Sequence, residues 1–281
     1  MRLGIEGTHY NVFGDERYKK MKEHGWDCCD FQWFLNTDAG DLFTVSDEEF
    51  EARLKAEKAL ADEAGIAFFQ VHGPWRWPAQ DSTEEERAER WEKYAKSIRG
   101  ASILGSKYII IHPVMPFGHK DIDPEYSFKL NVEFFKSLMP VARQYGVTIC
   151  YENMPMTKHS IALPEALLKV IEAVDDEHFE FCLDTGHCSV FGYSPADGLR
   201  LMKDHVKTLH VHDNDGTADQ HRCPGNGVID WEDFTRALHE INYDGVLSLE
   251  NGFKIDPKAD TIEEYEEQLR GFVRVARKLS E

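Results

Sequence analysis

Basic residues are scarce in this chain: 32 lysines and arginines stand against 51 aspartates and glutamates, for a formal charge of −19. A field of that sign repels polyphosphates and anionic membrane surfaces, so neither nucleic acid nor membrane is an expected partner. No apolar run approaches the roughly 20 residues that span a bilayer. Met1-Arg2-Leu3-Gly4-Ile5-Glu6 carries no apolar signal segment, and a cytoplasmic location is the expectation. The six cysteines, at 28, 29, 150, 182, 188 and 223, include no C-x-x-C pair and read as reduced thiols. Absent too are G-x-G-x-x-G after a strand, G-x-x-x-x-G-K-[ST] and G-x-S-x-G, the usual marks of nucleotide cradles and of a hydrolase elbow.

What is present suits one large α/β domain. The 281 residues are close to the roughly 250 of a closed (β/α)8 barrel, and 42% are hydrophobic, enough for a sizeable core. Eight short apolar runs recur at about 2–6, 26–31, 67–72, 107–112, 147–152, 179–184, 207–213 and 245–250, each followed by a loop and a helical pattern. That alternation predicts a parallel sheet, and eight strands predict a single TIM barrel over 1–281. Helix starts are signalled by Ser46 before Glu49, Ser82 before Glu85, Thr261 before Glu264, and by Asp123-Pro124 and Ser194-Pro195. Gly65, Gly105 and Gly146 stand where helices should stop. The longest irregular stretches, 32–45, 73–81 and 113–123, follow strands two to four and bring Trp33, Trp75, Trp77 and Phe117 to the mouth, either as pocket walls or as ordinary packing.

His72, His112, Glu152, Asp184, His212 and Glu250 each close one of the runs three to eight. In a parallel barrel all strands aim their C-terminal ends at one mouth, so these distant residues converge. Residues two apart share a face, which turns Cys150, Cys182, His210 and Ser248 inward below them. Carboxylates buried face to face repel unless a cation neutralises them. Glu152, Asp184, His212 and Glu250 therefore read as ligands of one divalent ion. Three carboxylates and one imidazole suit Mn2+ first, with Mg2+, Co2+ or Zn2+ as alternatives. His72, His112, His187, Asp219 and His221 read either as substrate contacts or as a second metal site, and His210 as a satisfied group one layer deeper.

Laid out in order, Val71-His72-Gly73-Pro74, Ile111-His112-Pro113, Tyr151-Glu152-Asn153, Leu183-Asp184-Thr185-Gly186-His187, His210-Val211-His212-Asp213-Asn214-Asp215, Pro224-Gly225-Asn226-Gly227 and Leu249-Glu250-Asn251 resemble the xylose isomerase-like barrel superfamily, in particular its sugar phosphate isomerase/epimerase branch. The resemblance covers nearly the whole chain. It implies that Glu152, Asp184, His212 and Glu250 hold one divalent ion, that Glu152 and Glu250 also act as acid and base on a sugar-like keto substrate through an enediolate, and that His187 contacts a substrate oxygen. Two departures from the ketose 3-epimerases are Lys158, where those enzymes carry an acid, and Ala218, where they carry arginine. Substrate recognition should differ accordingly, with Lys158 and Trp75 as possible contacts. A lyase acting on a keto-sugar, keto-inositol or oxidised glycoside is the nearest alternative. Endonuclease IV-like phosphodiesterases of the same superfamily use three metals, and His72, His112, Glu152, Asp184, His187, His212, Asp219, His221 and Glu250 match their nine ligand types. The acidic charge and the lack of basic DNA-gripping loops weigh against that reading. A sugar-binding subunit without catalysis and a homo-oligomer are also compatible with the sequence.

Overall fold

The computed structural model describes residues 1–35, 41–75, 81–250 and 261–281. Eight strands form one parallel sheet in the order β7-β6-β5-β4-β3-β2-β1-β8. They are β1 (Arg2–Glu6), β2 (Cys28–Phe31), β3 (Ala67–His72), β4 (Tyr108–Ile111), β5 (Thr148–Glu152), β6 (Phe179–Asp184), β7 (Val206–His210) and β8 (Val246–Leu249). A bridge between Val211 and Leu249 brings the two edge strands together, with Val211 N–H donating to Ser248 O at 2.9 Å. The barrel is thereby nearly closed, as the eight apolar runs predict.

Helices connect the strands: 3-10 turns over Gly7–Glu16, then α1 (Arg17–His24), α2 (Asp41–Thr44), α3 (Asp47–Ala64), α4 (Glu84–Leu104), α5 (Pro124–Tyr145), α6 (Pro164–Val174), α7 (Thr185–Val190), α8 (Pro195–Met202), α9 (Trp231–Glu240) and α10 (Ile262–Ser280). Ser46, Asp123, Ser194 and Thr261 cap their helices by accepting backbone N–H groups three residues on, and Gly65, Gly105 and Gly146 end theirs in the left-handed region. One cap differs from expectation. Thr83, not Ser82, starts α4, because Glu86 returns its carboxylate to the Thr83 N–H and completes a capping box that the Ser82/Glu85 register does not form.

Alternation along the strands separates two interiors. Ile109, Ile111, Ile149, Tyr151, Phe181, Leu183, Leu209, Leu247 and Leu249 face outward and join the helix residues Phe50, Leu54, Ile98, Phe135, Leu167 and Phe234 in one core. Each such fully buried side chain contributes about 1.5–3 kcal/mol. The intervening residues face the barrel axis, where Ile110, Cys150 and Cys182 form a small cluster of their own. No described helix is long and apolar enough to cross a membrane.

Candidate metal and active site

His72, Glu152, Asp184 and His210 are the last residues of β3, β5, β6 and β7. His112 and Glu250 stand one residue beyond β4 and β8, and His212 two beyond β7, so the run expected to reach 213 ends as a strand at His210. The chain past that point leaves the β6 ladder, and the Thr185 hydroxyl takes over its hydrogen bonds. It accepts from His212 N–H at 2.9 Å and donates to His212 O at 2.6 Å.

The side chains converge in two neighbouring groups. Glu152, Asp184, His210 and Glu250 present donor atoms all within 4.8 Å of one another. His187, His212, Asp219 and His221 do the same. His212 links them, its Nε2 lying 2.9 Å from Asp184 Oδ2 while its ring stacks on His221 at 4.0 Å and 5°. A third group joins His72 and His112 to Glu152, with His112 Nε2 at 2.8 Å from Glu152 Oε2. His187 is held on α7 through its own N–H, which Asp184 Oδ1 caps at 2.6 Å, and its Nδ1 lies 2.7 Å from Asn153 O. His221 reaches Glu250 O at 2.7 Å and Asp219 Oδ2 at 3.2 Å. Trp75 meets His112 edge-on at 4.5 Å.

Charge in this enclosure is uneven. Burial alone would raise the Glu152 carboxyl, but His210 and His112 outweigh it and hold the group well below the usual carboxylate range. Burial pushes the Glu250 carboxyl well above that range, with Glu152 and Asp184 adding to the effect against the pull of His210 and His221. Burial, reinforced by His112, lowers His72 to about 3. At the rim, Asp219 and Glu250 overcome burial and raise His221 to about 10. Environments that drive two glutamates apart suit one acid and one base.

The donor set fits a divalent cation. Three buried carboxylates face one another, and the buried Nδ1 of His212 has no hydrogen-bond partner. Glu152, Asp184 and Glu250 together with His212 or His210 offer the mixed oxygen and imidazole donors that Mn2+ or Zn2+ accepts.

Two polar groups with no place in the strand-end reading belong to the same network. Asp30 on β2 lies 3.0 Å from His210 Nε2, and Gln70 on β3 donates to Asp30 Oδ2 at 2.8 Å. Both interrupt apolar runs at inward-facing parity, a signal available in the sequence. His210, expected as a satisfied group one layer deeper, is fully buried with both ring nitrogens engaged, Nε2 with Asp30 and Nδ1 with both Glu152 and Glu250. Lys158 is exposed on the loop after β5, where its carbonyl accepts from Asp121 N–H at 3.0 Å. Trp33 is 38% exposed and Phe117 packs on Tyr126, while Trp77 lies outside the described residues. A cavity of about 560 Å3 lined by Arg2, Lys107, Tyr108, Lys207 and Tyr243 opens at the opposite end of the barrel and holds none of the site residues.

A family model described as xylose isomerase-like TIM barrel matches residues 18–273. Inosose isomerase of Bacillus subtilis is 26% identical over 153 residues, 52% of this chain and 54% of its own length. D-psicose 3-epimerase of Enterocloster bolteae is 29% identical over 216 residues, 75% and 68% respectively. A probable endonuclease 4 of Metamycoplasma arthritidis is 27% identical over 211 residues, 70% and 71%. Together with two uncharacterised proteins of Methanocaldococcus jannaschii, the inosose isomerase belongs to a set of relatives of whose length the chain spans only 54–63%. Among solved structures, a D-psicose 3-epimerase in the presence of D-fructose superposes with a TM-score of 0.80 at 17% identity, covering 100% of this chain and 99% of the other. The IOLI protein with a binding zinc atom superposes with a TM-score of 0.75 at 19% identity, covering 100% and 96%.

Proposed function

The chain belongs to the xylose isomerase-like TIM barrel family, and from that premise we propose that it is a divalent-metal-dependent isomerase or epimerase of a sugar or sugar-derived keto substrate. The observation that carries this reading is the convergence of Glu152, Asp184 and Glu250 at the barrel mouth, with both glutamates against Nδ1 of the His210 imidazole. Glu152, Asp184, His212 and Glu250 would hold the ion. A divalent cation there would polarise a substrate carbonyl and its neighbouring hydroxyl, easing loss of the adjacent C–H proton. Of the two glutamates, one removes that proton and the other returns one, and the environments that separate their carboxyls support this division. His187 contacts a substrate oxygen, Trp75 forms an apolar wall beside His112, and Lys158 meets a substrate carbonyl or acid. Inosose isomerase and D-psicose 3-epimerase among the relatives support a polyhydroxylated keto substrate. Mn2+ is the proposed metal, with Mg2+, Co2+ or Zn2+ as alternatives; the zinc atom in the IOLI structure supports the divalent class.

The test is deuterium incorporation from heavy water into a panel of ketoses and keto-inositols with Mn2+ present. Exchange that stops on chelation and in Glu152→Gln supports the reading, and exchange with loss of a β-substituent redirects it to a lyase. Neither exchange nor elimination on any member of the panel sinks it.

A second reading is favoured by one observation. The nine residues matching endonuclease IV-like ligands are spread over three groups able to hold a metal, one of which also includes His210. It requires about three ions per chain and incision of abasic DNA; a chain with three ions and no incision rules it out.

A further inference from the structure

Four strands of the barrel, and the residue that follows a fifth, are tied across its axis by one chain of contacts. Asp30 on β2 and Gln70 on β3 are register partners, and the Gln70 amide donates to Asp30 Oδ2 at 2.8 Å and to Leu209 O at 3.2 Å. The same Asp30 oxygen lies 3.0 Å from His210 Nε2. On the far side of the ring, Nδ1 lies 2.8 Å from Glu152 Oε1 and 3.0 Å from Glu250 Oε2. His72 stacks against the His210 ring at 5.5 Å and 9°, which limits its rotation. Asp30 and His210 are 2% and 0% exposed, so the linkage lies inside the barrel below the mouth and needs no part of the loops.

We infer that Asp30 and His210 are positioning residues, with Asp30 fixing the His210 ring and His210 setting where Glu152 and Glu250 stand relative to each other. This rests on the functional reading above. A buried carboxylate–imidazole pair is a poor device for stability alone, since an apolar pair of similar volume serves as well or better. Its value lies in direction. An imidazole pinned at one nitrogen presents the other at a defined place, the same logic by which carboxylates orient the histidines of metal sites. Here the oriented nitrogen faces both glutamates at once, so a rotation of the ring moves the two proposed acid–base groups together. Glu152 keeps a second support in His112, at 2.8 Å from its other oxygen. For Glu250, among the described side chains, the nearest oriented partner is His210 itself.

The whole chain with Mn2+ as the probe tests this. In Asp30→Ala, Mn2+ affinity by titration calorimetry is expected to fall 10- to 100-fold. Asp30→Asn, whose carboxamide oxygen still accepts from Nε2, should recover most of that loss. In the exchange assay Asp30→Ala should lower kcat while KM stays within about twofold, because the pair does not touch substrate. A folded Asp30→Ala chain with wild-type Mn2+ affinity overturns the inference, and so do equal losses in the alanine and asparagine variants, which would mark general packing. If Asp30→Ala does not fold, Gln70→Leu removes the amide that anchors Asp30, together with its bond to Leu209 O, and leaves Asp30 itself in place; a several-fold loss of affinity supports the pair and none overturns it. A wild-type chain that binds Mn2+ without exchanging a proton on any keto-sugar sinks the functional reading alone, and the calorimetry still decides the positioning.

Discussion

Thr185 and His212 clamp each other through both backbone groups of the histidine, at 2.9 Å from its N–H and 2.6 Å to its carbonyl. The clamp sits two residues past the end of β7, where the chain has left the β6 ladder. It connects the start of α7 to the segment that carries His212 over the mouth. The residue next to Thr185 shows how closely the two pack. A Cβ on Gly186 would lie 2.0 Å from His212 Cε1 and 2.3 Å from Nδ1.

Gly186→Ala is therefore expected to push the His212 ring aside. Overpacking of this kind costs about 1–3 kcal/mol, read by urea unfolding. Mn2+ affinity should fall at least about tenfold, as for loss of a ligand's support. Unchanged Mn2+ binding in the folded variant would remove His212 from the proposed ligand set.

The number of ions separates the two functional readings. After chelation and reloading, elemental analysis should give about one ion per chain for the isomerase reading and about three for the endonuclease reading. His187→Ala and His221→Ala should leave the count at one in the first case and lower it in the second.

Arg90 on α4 forms a buried ion pair with Asp81 and also donates to the carbonyls of His112 and Pro113 at 3.3 Å each. Asp81 in turn accepts from Met115 N–H at 2.8 Å, so one pair secures the loop that begins at His112. Arg90→Met leaves the Asp81 charge buried without its cation and should destabilise the chain by about 3–5 kcal/mol. Arg90→Met combined with Asp81→Asn should recover part of this, since the stranded charge is gone. Equal stability of the single variant and wild type in denaturant titration would refute the assignment.

Acid should weaken the fold partly through His24 and His159. Burial lowers both below their usual value of 6.5. His24 Nδ1 lies 2.9 Å from the Tyr10 hydroxyl, and His159 Nδ1 accepts from Ile161 N–H at 3.1 Å. A folded pKa below the unfolded one means that the unfolded chain takes up the proton first. The stabilisation is present above about pH 6.5 and is lost as the pH falls toward the folded values. His24→Gln should flatten the pH dependence of the unfolding midpoint between pH 6.5 and 5, and an identical slope in variant and wild type would exclude His24 as a source.

The barrel itself was legible because its signals are local. Eight apolar runs at regular spacing, the caps Ser46, Asp123, Ser194 and Thr261, and the helix-ending glycines report short-range backbone preferences, and all appear where expected. The ring of ligand-type residues was legible for a topological reason: parallel strands gather their ends at one mouth whatever the side chains do. His72, Glu152 and Asp184 close their strands as read, and His112, His212 and Glu250 fall just beyond theirs.

Partnership within that ring was another matter, because it depends on side-chain reach across the barrel axis. Alternation turns His210 inward, yet only the closed barrel brings its Nδ1 to both Glu152 and Glu250, residues 58 and 40 positions away in the chain. Asp30, 180 positions from His210, and Gln70 entered the site in the same way. Residue order and period thus determined the barrel and which end carries the chemistry. Tertiary structure decided which imidazole stands beside which carboxylate, since distances across an enclosed axis are set by barrel closure and packing, and no sequence separation encodes them.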